Sequence, residues 1–549
     1  MHQSSTTPND WEILQRIGAH YDGHPLVLQV IAEEIRQSPF RGDIARYWQH
    51  YEAEFSSAAP TTANKLERSR LFRRRVRQRV EQAIQRLPES ARQMLCACSV
   101  FRRPVPERFW LTMVGEGDAQ VAFDTLQERG LVEYASAAGN TLLFRQHNLI
   151  RSVAFNLLKA DVAAWDAAER QAAHLWLNDY EPEPDAPNLE TVRGYLEAFD
   201  HYCEVEDWEQ AAEIYMQNLY TSNQPLHWQL FIWGNYQELT QISERLAEKV
   251  SEMKIRCFLN LGNSNVCLGN FNQAVDWYEK ASSAAQEIGD RQGEGAALGN
   301  LGNAYYSLGQ YERALDYHQQ YLTLAQKLGN RQGEGNALGG LGNAYYSLGQ
   351  YERAINYHQQ YLTIAREIGN RRGEGIALGN LGIVYKNLGQ YERAINYHQQ
   401  CLTIAREIGD RAGEGHALGG LGLAYNSLGQ YEQTINFYQQ HLTIAQDIGD
   451  RVGEGTALVN MGATLLKLKD YPESLTNNQA ALKIVREIGF RGGEAEALKN
   501  LAEVHQALGE IETAKQYAQQ ALALATELGI PLKAECEALL AELEKDHKS

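Results

Sequence analysis

From about Ser251 to Gly529 the apolar and polar positions recur with a period of forty residues, and the block is written seven times. Three copies read GEGAALGNLGNAYYSLGQYERALDYHQQYLTLAQKLGN from Gly293, GEGNALGGLGNAYYSLGQYERAINYHQQYLTIAREIGN from Gly333 and GEGIALGNLGIVYKNLGQYERAINYHQQCLTIAREIGD from Gly373. Looser copies begin near Lys254, Gly413, Gly453 and Gly493. A fixed period of this size predicts a stacked array in which each unit contacts its neighbours. Within a unit the pattern predicts two helices. Asp290 or Asn330 stands as an N-cap, Leu298, Leu301 and Tyr305 recur at helical spacing, and Gly309 stands where a left-handed residue ends a helix. The second helix carries Tyr311, Ala314, Tyr317, Tyr321 and Leu322 inward and stops at Gly329. Gly299 and Gly302 lie mid-helix, each at a cost of roughly 1 kcal/mol against alanine, so close helix approach is expected there.

The set Leu301-Gly302, Tyr305, Ala314 and Tyr317-His318 resembles the tetratricopeptide repeat, here lengthened from its usual 34 residues. The long form, with its GDRxGEGxALxNLGxAY signature, is similar to the repeats of Pins-type spindle-orientation adaptors and of cyanobacterial and actinobacterial signalling proteins. HEAT and armadillo arrays share a period near forty but lack matched small residues in both helices, as Gly302 and Ala314 are here. The resemblance covers about half the chain and implies an all-α fold, a right-handed superhelical solenoid.

Ahead of the array the pattern changes. Trp11 to Gln37 reads as two helices, with Pro25 at the start of the second. After the polar segment Ser56 to Asn64, the residues Leu71, Val76, Val80, Ala83, Ile84 and Leu87 form one helix face. Arg70, Arg73, Arg74, Arg75, Arg77 and Arg79 crowd the others, which reads as a solvated face pairing with acidic neighbours. From Leu87 to Leu158 the order is three helices and then two alternating runs, Leu131 to Ala135 and Thr141 to Arg145, around Ala138-Gly139-Asn140. That order suggests a winged helix. Its expected recognition helix, DAQVAFDTLQERG, sets Asp118, Asp124 and Glu128 against Arg129, which argues against DNA.

Gly23-His24-Pro25-Leu26 resembles the GxP motif of the NB-ARC class of STAND ATPases, and Gln146-His147-Asn148 falls at that family's MHD motif, with asparagine in the third place. The resemblance implies that Pro25 and His147 are vestigial nucleotide contacts. A nucleotide switch also needs a Gly-rich loop with lysine, and the chain contains no Gly-Lys dipeptide. Expected domains are therefore 1–55, a helical segment resembling the NB-ARC small helical domain; 65–160, winged-helix-like; 161–250, a helical connector with degenerate repeats, broken by EPEPDAP; 251–530, the array of about seven repeats; and 531–549, a capping helix opened by Pro531.

Lys plus Arg total 51 against 69 Asp plus Glu, a formal charge of −18, which disfavours general nucleic-acid binding. Seven cysteines (Cys96, Cys98, Cys203, Cys257, Cys267, Cys401 and Cys536) are scattered without zinc spacing and read as small apolar side chains. The start MHQSSTTPNDW has no signal region and no apolar run spans a bilayer, so a soluble, cytoplasmic protein without membrane partners is expected. His318, His358 and His398 occur singly, one per repeat, and read as packing residues rather than metal ligands. No nucleophile, base and orienting group assemble by spacing; an enzyme is not expected, nor a cofactor or metal.

Two functions remain. One is an adaptor whose concave groove binds an extended segment of a partner protein. The other is the sensor half of a STAND ATPase whose nucleotide domain is missing or separately encoded, which coding sequence upstream of Met1 would reveal. Once core positions are removed, the residues expected to line the groove are Asn263, Asn303, Tyr306, Asn343, Tyr346, Ile383, Lys386, Asn387, Leu423 and Asn426. Asparagine amides suit an extended backbone, the glycines at 299, 339, 379 and 419 leave room for it, and Ile383 with Leu423 would supply an apolar pocket.

Overall fold

Seven helix pairs follow one another among the described residues, from Lys254–Cys267 with Phe271–Ile288 to Arg491–Ala507 with Ile511–Leu528. The computed structural model describes residues 10–21, 24–37, 39–55, 65–115, 117–138, 141–219 and 222–546. Contacts divide the chain into two units, Met1–Cys257 and Phe258–Ser549.

In the second unit the punctuation of the repeat does the expected work. Asp290 accepts backbone hydrogen bonds from Gln292 and Gly293 at 3.1 and 2.9 Å, and Asn330, Asn370, Asp410 and Asp450 each cap the next helices through one glycine amide. Each such cap contributes about 1 kcal/mol. Gly309 ends the first helix at φ 72°, and at the equivalent place in the sixth copy Lys469 takes φ 61°, a conformation that costs a side chain more than it costs glycine. Leu298, Leu301, Tyr305, Ala314 and Leu322 are buried. Each buried leucine contributes about 1.5–3 kcal/mol. Tyr305 and Tyr317 stack with centroids 5.2 Å apart, as do Tyr345 with Tyr357 and Tyr385 with Tyr397 at 5.3 Å.

The GDRxGE signature also has an electrostatic cause. Arg371 pairs with Glu374 one turn on and with Glu407 at the end of its partner helix, while Arg366 of the preceding repeat reaches Glu374 at 2.7 Å. Burial alone would raise the Glu374 carboxyl, but the two guanidiniums outweigh it and hold the pKa down. The last helix, Leu532–Asp546, turns Cys536, Leu539 and Leu543 inward and closes the array.

In the first unit, Asp10–His20, Pro25–Arg36 and Ile44–Phe55 share a core of Ile13, Ile17, Val27, Ile31 and Tyr47. The long helix Lys65–Gln85 buries Val76, Val80, Ala83 and Ile84. Arg79 departs from the solvated face read for it: it is 1% exposed and pairs with Glu34 and Tyr47. A buried guanidinium is tolerated because a carboxylate from another helix meets it. The side chains of Arg70 and Leu71 lie outside the described residues, as do Gly23, Ser56 to Asn64, Gly139 and Asn140.

Downstream, β1 (Val105–Pro106), β2 (Glu133–Ala138) and β3 (Thr141–Arg145) form an antiparallel sheet in the order β1-β3-β2. Helices Glu107–Thr112 and Ala119–Glu128 lie between β1 and β2, a connectivity compatible with a winged helix. The first strand was not expected from sequence, and β2 runs two residues later at its start and three at its end than the alternating run. A bulge between Tyr134 and Ser136 explains the shift, since it breaks the period of two. Beyond it, Val162–Asn178 packs on Arg193–Glu204, where Glu169 and His201 meet at 2.6 Å in the interior. Gly194 permits that approach, since a Cβ there would lie 2.3 Å from the Trp176 carbonyl oxygen.

Candidate binding groove of the helical array

The mid-helix glycines are where second helices enter. A Cβ on Gly302 would lie 2.5 Å from the His318 ring, and one on Gly340 of the next repeat 2.4 Å from the same ring. His318 is therefore held between two first helices. His398 lies likewise between Gly382 and Gly420, and His358 against Gly342. Burial lowers the pKa of all three to about 4, and their Nδ1 atoms have no hydrogen-bond partner. These are neutral packing groups. Among the described residues no group of three or more His, Cys, Asp or Glu could hold a metal ion.

The second set of glycines corrects one expectation. The space over Gly299 and Gly339 is not open to a bound chain, because Tyr321 and Tyr361 fill it: a Cβ on Gly299 would meet the Tyr321 ring at 3.0 Å, and one on Gly339 the Tyr361 ring at 3.4 Å. In the next two repeats the same second-helix position holds Cys401 and His441. There a cavity of about 460 Å³ opens between the helices. Ile383 and Leu423 both line it, with Ile376, Ile404, Gly379 and Gly419. Ile376, Ile383 and Leu423 remain 49%, 42% and 38% exposed, so the cavity continues an apolar stripe on the exposed side of the first helices.

The amides and tyrosines expected in the groove are distributed differently. Asn303 and Asn343 are exposed, and the Asn343 Oδ1 accepts from Asn380 at 3.2 Å. Asn263 is half-buried, its Oδ1 accepting from the Tyr278 hydroxyl at 2.7 Å, which removes it from an open ladder. The remaining polar residues tie one repeat to the next. Ser347 donates to the Tyr306 hydroxyl at 3.0 Å, Asn387 to the Tyr346 hydroxyl at 2.6 Å, and Lys467 to the Asn426 Oδ1 at 3.2 Å. Lys386 is half-buried on the same helix as Ile383. Cys401, His441 and Ile376 were missed, although the repeat alignment carried the signal: the tyrosine becomes a small cysteine at 401 and a histidine at 441 while the facing glycines stay.

In the first unit, Pro25 opens its helix and His147 caps Asn148–Lys159, its Nδ1 accepting from the Leu149 amide at 3.2 Å. Leu149 packs on the cluster that holds Val27 and Ile31, so both helices share one core.

The tetratricopeptide repeat family model matches residues 254–327, 294–367, 373–447 and 453–527. Residues 254–527 are tetratricopeptide repeats. Among solved structures, a Signal Transduction ATPase with Numerous Domains (STAND) protein with a tetratricopeptide repeat sensor from Pyrococcus horikoshii is 17% identical, with a TM-score of 0.51 over 98% of this chain and 72% of that one. Aspartyl phosphate phosphatase F from Bacillus subtilis is 16% identical, with a TM-score of 0.45 over 66% of this chain and 89% of that one. No curated protein matches the chain. The first likeness shows a shared fold. Tetratricopeptide arrays are scaffolds for protein interaction, and the solenoid here is built as one. Among the described residues no helix is long and apolar enough to cross a membrane.

Proposed function

We propose that this chain is an adaptor whose tetratricopeptide groove holds an extended segment of a partner protein. The observation that carries the reading is the exposed stripe of the first helices, where the amides of Asn303 and Asn343 lead to the cavity beside Ile383 and Leu423. Amides can both donate to and accept from an extended backbone, and an apolar cavity anchors one of its side chains. The test is a pull-down from native lysate with the parent chain and with Asn303→Ala and Asn343→Ala combined. Each lost hydrogen bond costs about 0.5–1.5 kcal/mol, enough for the pair to weaken capture clearly. Equal recovery of the same partners at matched folding would remove the amides from the mechanism.

A second reading is favoured by one observation, the fold likeness along 98% of this chain to a STAND protein with a tetratricopeptide repeat sensor. On that reading the chain is the sensor portion of such an ATPase, with its nucleotide-binding domain missing or separately encoded. The chain alone then lacks most of a nucleotide site, and calorimetric titration with ADP and Mg²⁺ gives no tight binding. Neither reading assigns catalysis to the array.

A further inference from the structure

The repeats themselves show what shape the cavity is missing. Tyr361 lies against Gly335 and Gly339 of its own repeat, and its hydroxyl reaches Gly373 of the next, where a Cβ would come within 3.1 Å of it. Tyr321 makes the same three approaches, to Gly295, Gly299 and Gly333. One repeat further on, the three glycines are retained as Gly375, Gly379 and Gly413, but the side chain facing them is Cys401. A Cβ on Gly379 would meet only the Cys401 Sγ, at 3.6 Å, and the atoms nearest to one on Gly413 belong to its own cap, Asp410. A frame shaped for a phenol ring is present without the ring.

Two further facts define the chemistry. The walls are chiefly aliphatic, with Ile376, Ile383, Ile404 and Leu423 around the space and Asn380, His416 and Asn460 among the polar residues of the lining. His441, also in the lining, is 9% exposed; its Nδ1 has no hydrogen-bond partner, as in the packing histidines, and lies beside Gly419, another residue of the cavity wall, 3.3 Å from where a Cβ would stand. A buried polar atom without a partner is costly, and a ligand that brings one hydroxyl relieves it. A hydroxyl can donate or accept, so it suits either tautomer of the ring. The volume of about 460 Å³ falls in the range of small-ligand sites, about 300–1,000 Å³.

We propose that this cavity receives the side chain of a tyrosine in the partner segment, the ring lying over Gly375 and Gly379 and the hydroxyl facing the imidazole of His441. The inference rests on the groove reading above, and it names the anchor residue of the partner.

The experiment uses the full chain and two probes. The first is p-cresol, the tyrosine side chain as a free molecule, with toluene as its counterpart lacking the hydroxyl, both titrated by ligand-detected NMR. Parent chain binds p-cresol, and Cys401→Tyr, which restores the residue of the two preceding repeats, weakens it by at least about tenfold. Ile383→Arg, at an exposed wall position, gives the same loss without touching the core. His441→Phe narrows the preference for p-cresol over toluene by about fivefold, the size of one hydrogen bond. No binding by the parent chain, or equal binding by parent and Cys401→Tyr, overturns the assignment. The second probe is a phage-displayed random peptide library panned on parent and on Cys401→Tyr. Enrichment of tyrosine at one constant position by the parent alone supports the proposal. Enriched peptides without that tyrosine overturn it while leaving the groove reading intact, whereas retention of no peptide while p-cresol binds overturns both.

Discussion

The repeats at 291–370 and those at 371–450 are built on one plan and end in different states. In the first pair Tyr321 and Tyr361 lie on their glycines and close the space between helices; in the second pair His441 still lies on Gly415 and Gly419, but Cys401 does not reach across its frame, and a cavity of about 460 Å³ opens there. Caps and glycine frame are shared, so the difference centres on Cys401, the one position of the four where no ring lies on the glycines. A repeat array can thus convert a packing position into a binding position without altering its helices, because each unit contacts only its neighbours and the local change does not propagate.

The glycine frame is the part of the comparison that both regions need, and breaking it has the largest expected effect. Gly342 is buried with the ring of His358 against it, and even a Cβ there would lie 2.5 Å from the Cε1 atom. Gly342→Leu is expected to destabilise the array by about 3 kcal/mol or more, the upper end of overpacking costs. Hydrogen exchange resolves whether the loss is confined to the helices on either side, as nearest-neighbour stability requires. Parent-like melting would show that the glycine is not a packing requirement.

Acid tests both regions alike. Burial holds His318, His358 and His398 at about 4, below the ordinary value of about 6.5. The unfolded chain therefore binds protons that the folded chain refuses. Stability from this source is full above about pH 6.5, declines as the pH falls, and levels below about 4. At pH 5 each histidine is expected to have cost about 2 kcal/mol. Denaturant titrations at pH 7 and pH 5 measure the sum, and His358→Gln removes one share of it. Protection lost at a higher pH in the cavity repeats than in the tyrosine-filled ones would mean that water reaches His398 through the cavity.

The solenoid was legible because its signals are local. A period of forty residues, Asp290 or Asn330 before each helix and Gly309 or Gly329 after it are all read within one unit. The interior place of Arg79 was not legible, since its carboxylate partner Glu34 is supplied by a different helix and no periodicity assigns a guanidinium to a core. Nor was β1, two residues that become a strand only by pairing with Phe144 and Leu143. In the groove, Ile383 and Leu423 were placed together by counting forty. The amides were not fully separable: Asn263 and Asn303 occupy the same repeat position, and what distinguishes them is Tyr278, whose hydroxyl reaches Asn263 where His318 stands in the next repeat.

The smallest expected effect sharpens the comparison most. Cys401→Tyr makes the fourth repeat like the third, with no change in the glycines it faces. If the cavity is simply the volume of a missing ring, the tyrosine enters in the conformation of Tyr361, lies on Gly375 and Gly379, and brings its hydroxyl to Gly413 as Tyr361 does to Gly373. Burial of the ring then exceeds burial of the thiol, and cavity filling of this kind stabilises by about 0.5–2 kcal/mol. Only local contacts change, so the gain belongs to the helices Arg371–Asn387, Tyr391–Ile408 and Arg411–Ser427. Hydrogen exchange is expected to slow in those three and to stay unchanged in Arg331–Ser347. A lower melting temperature for Cys401→Tyr, with exchange accelerated in the same helices, would show that the cavity repeats have relaxed around their smaller residue and that the two regions differ in backbone as well as in one side chain.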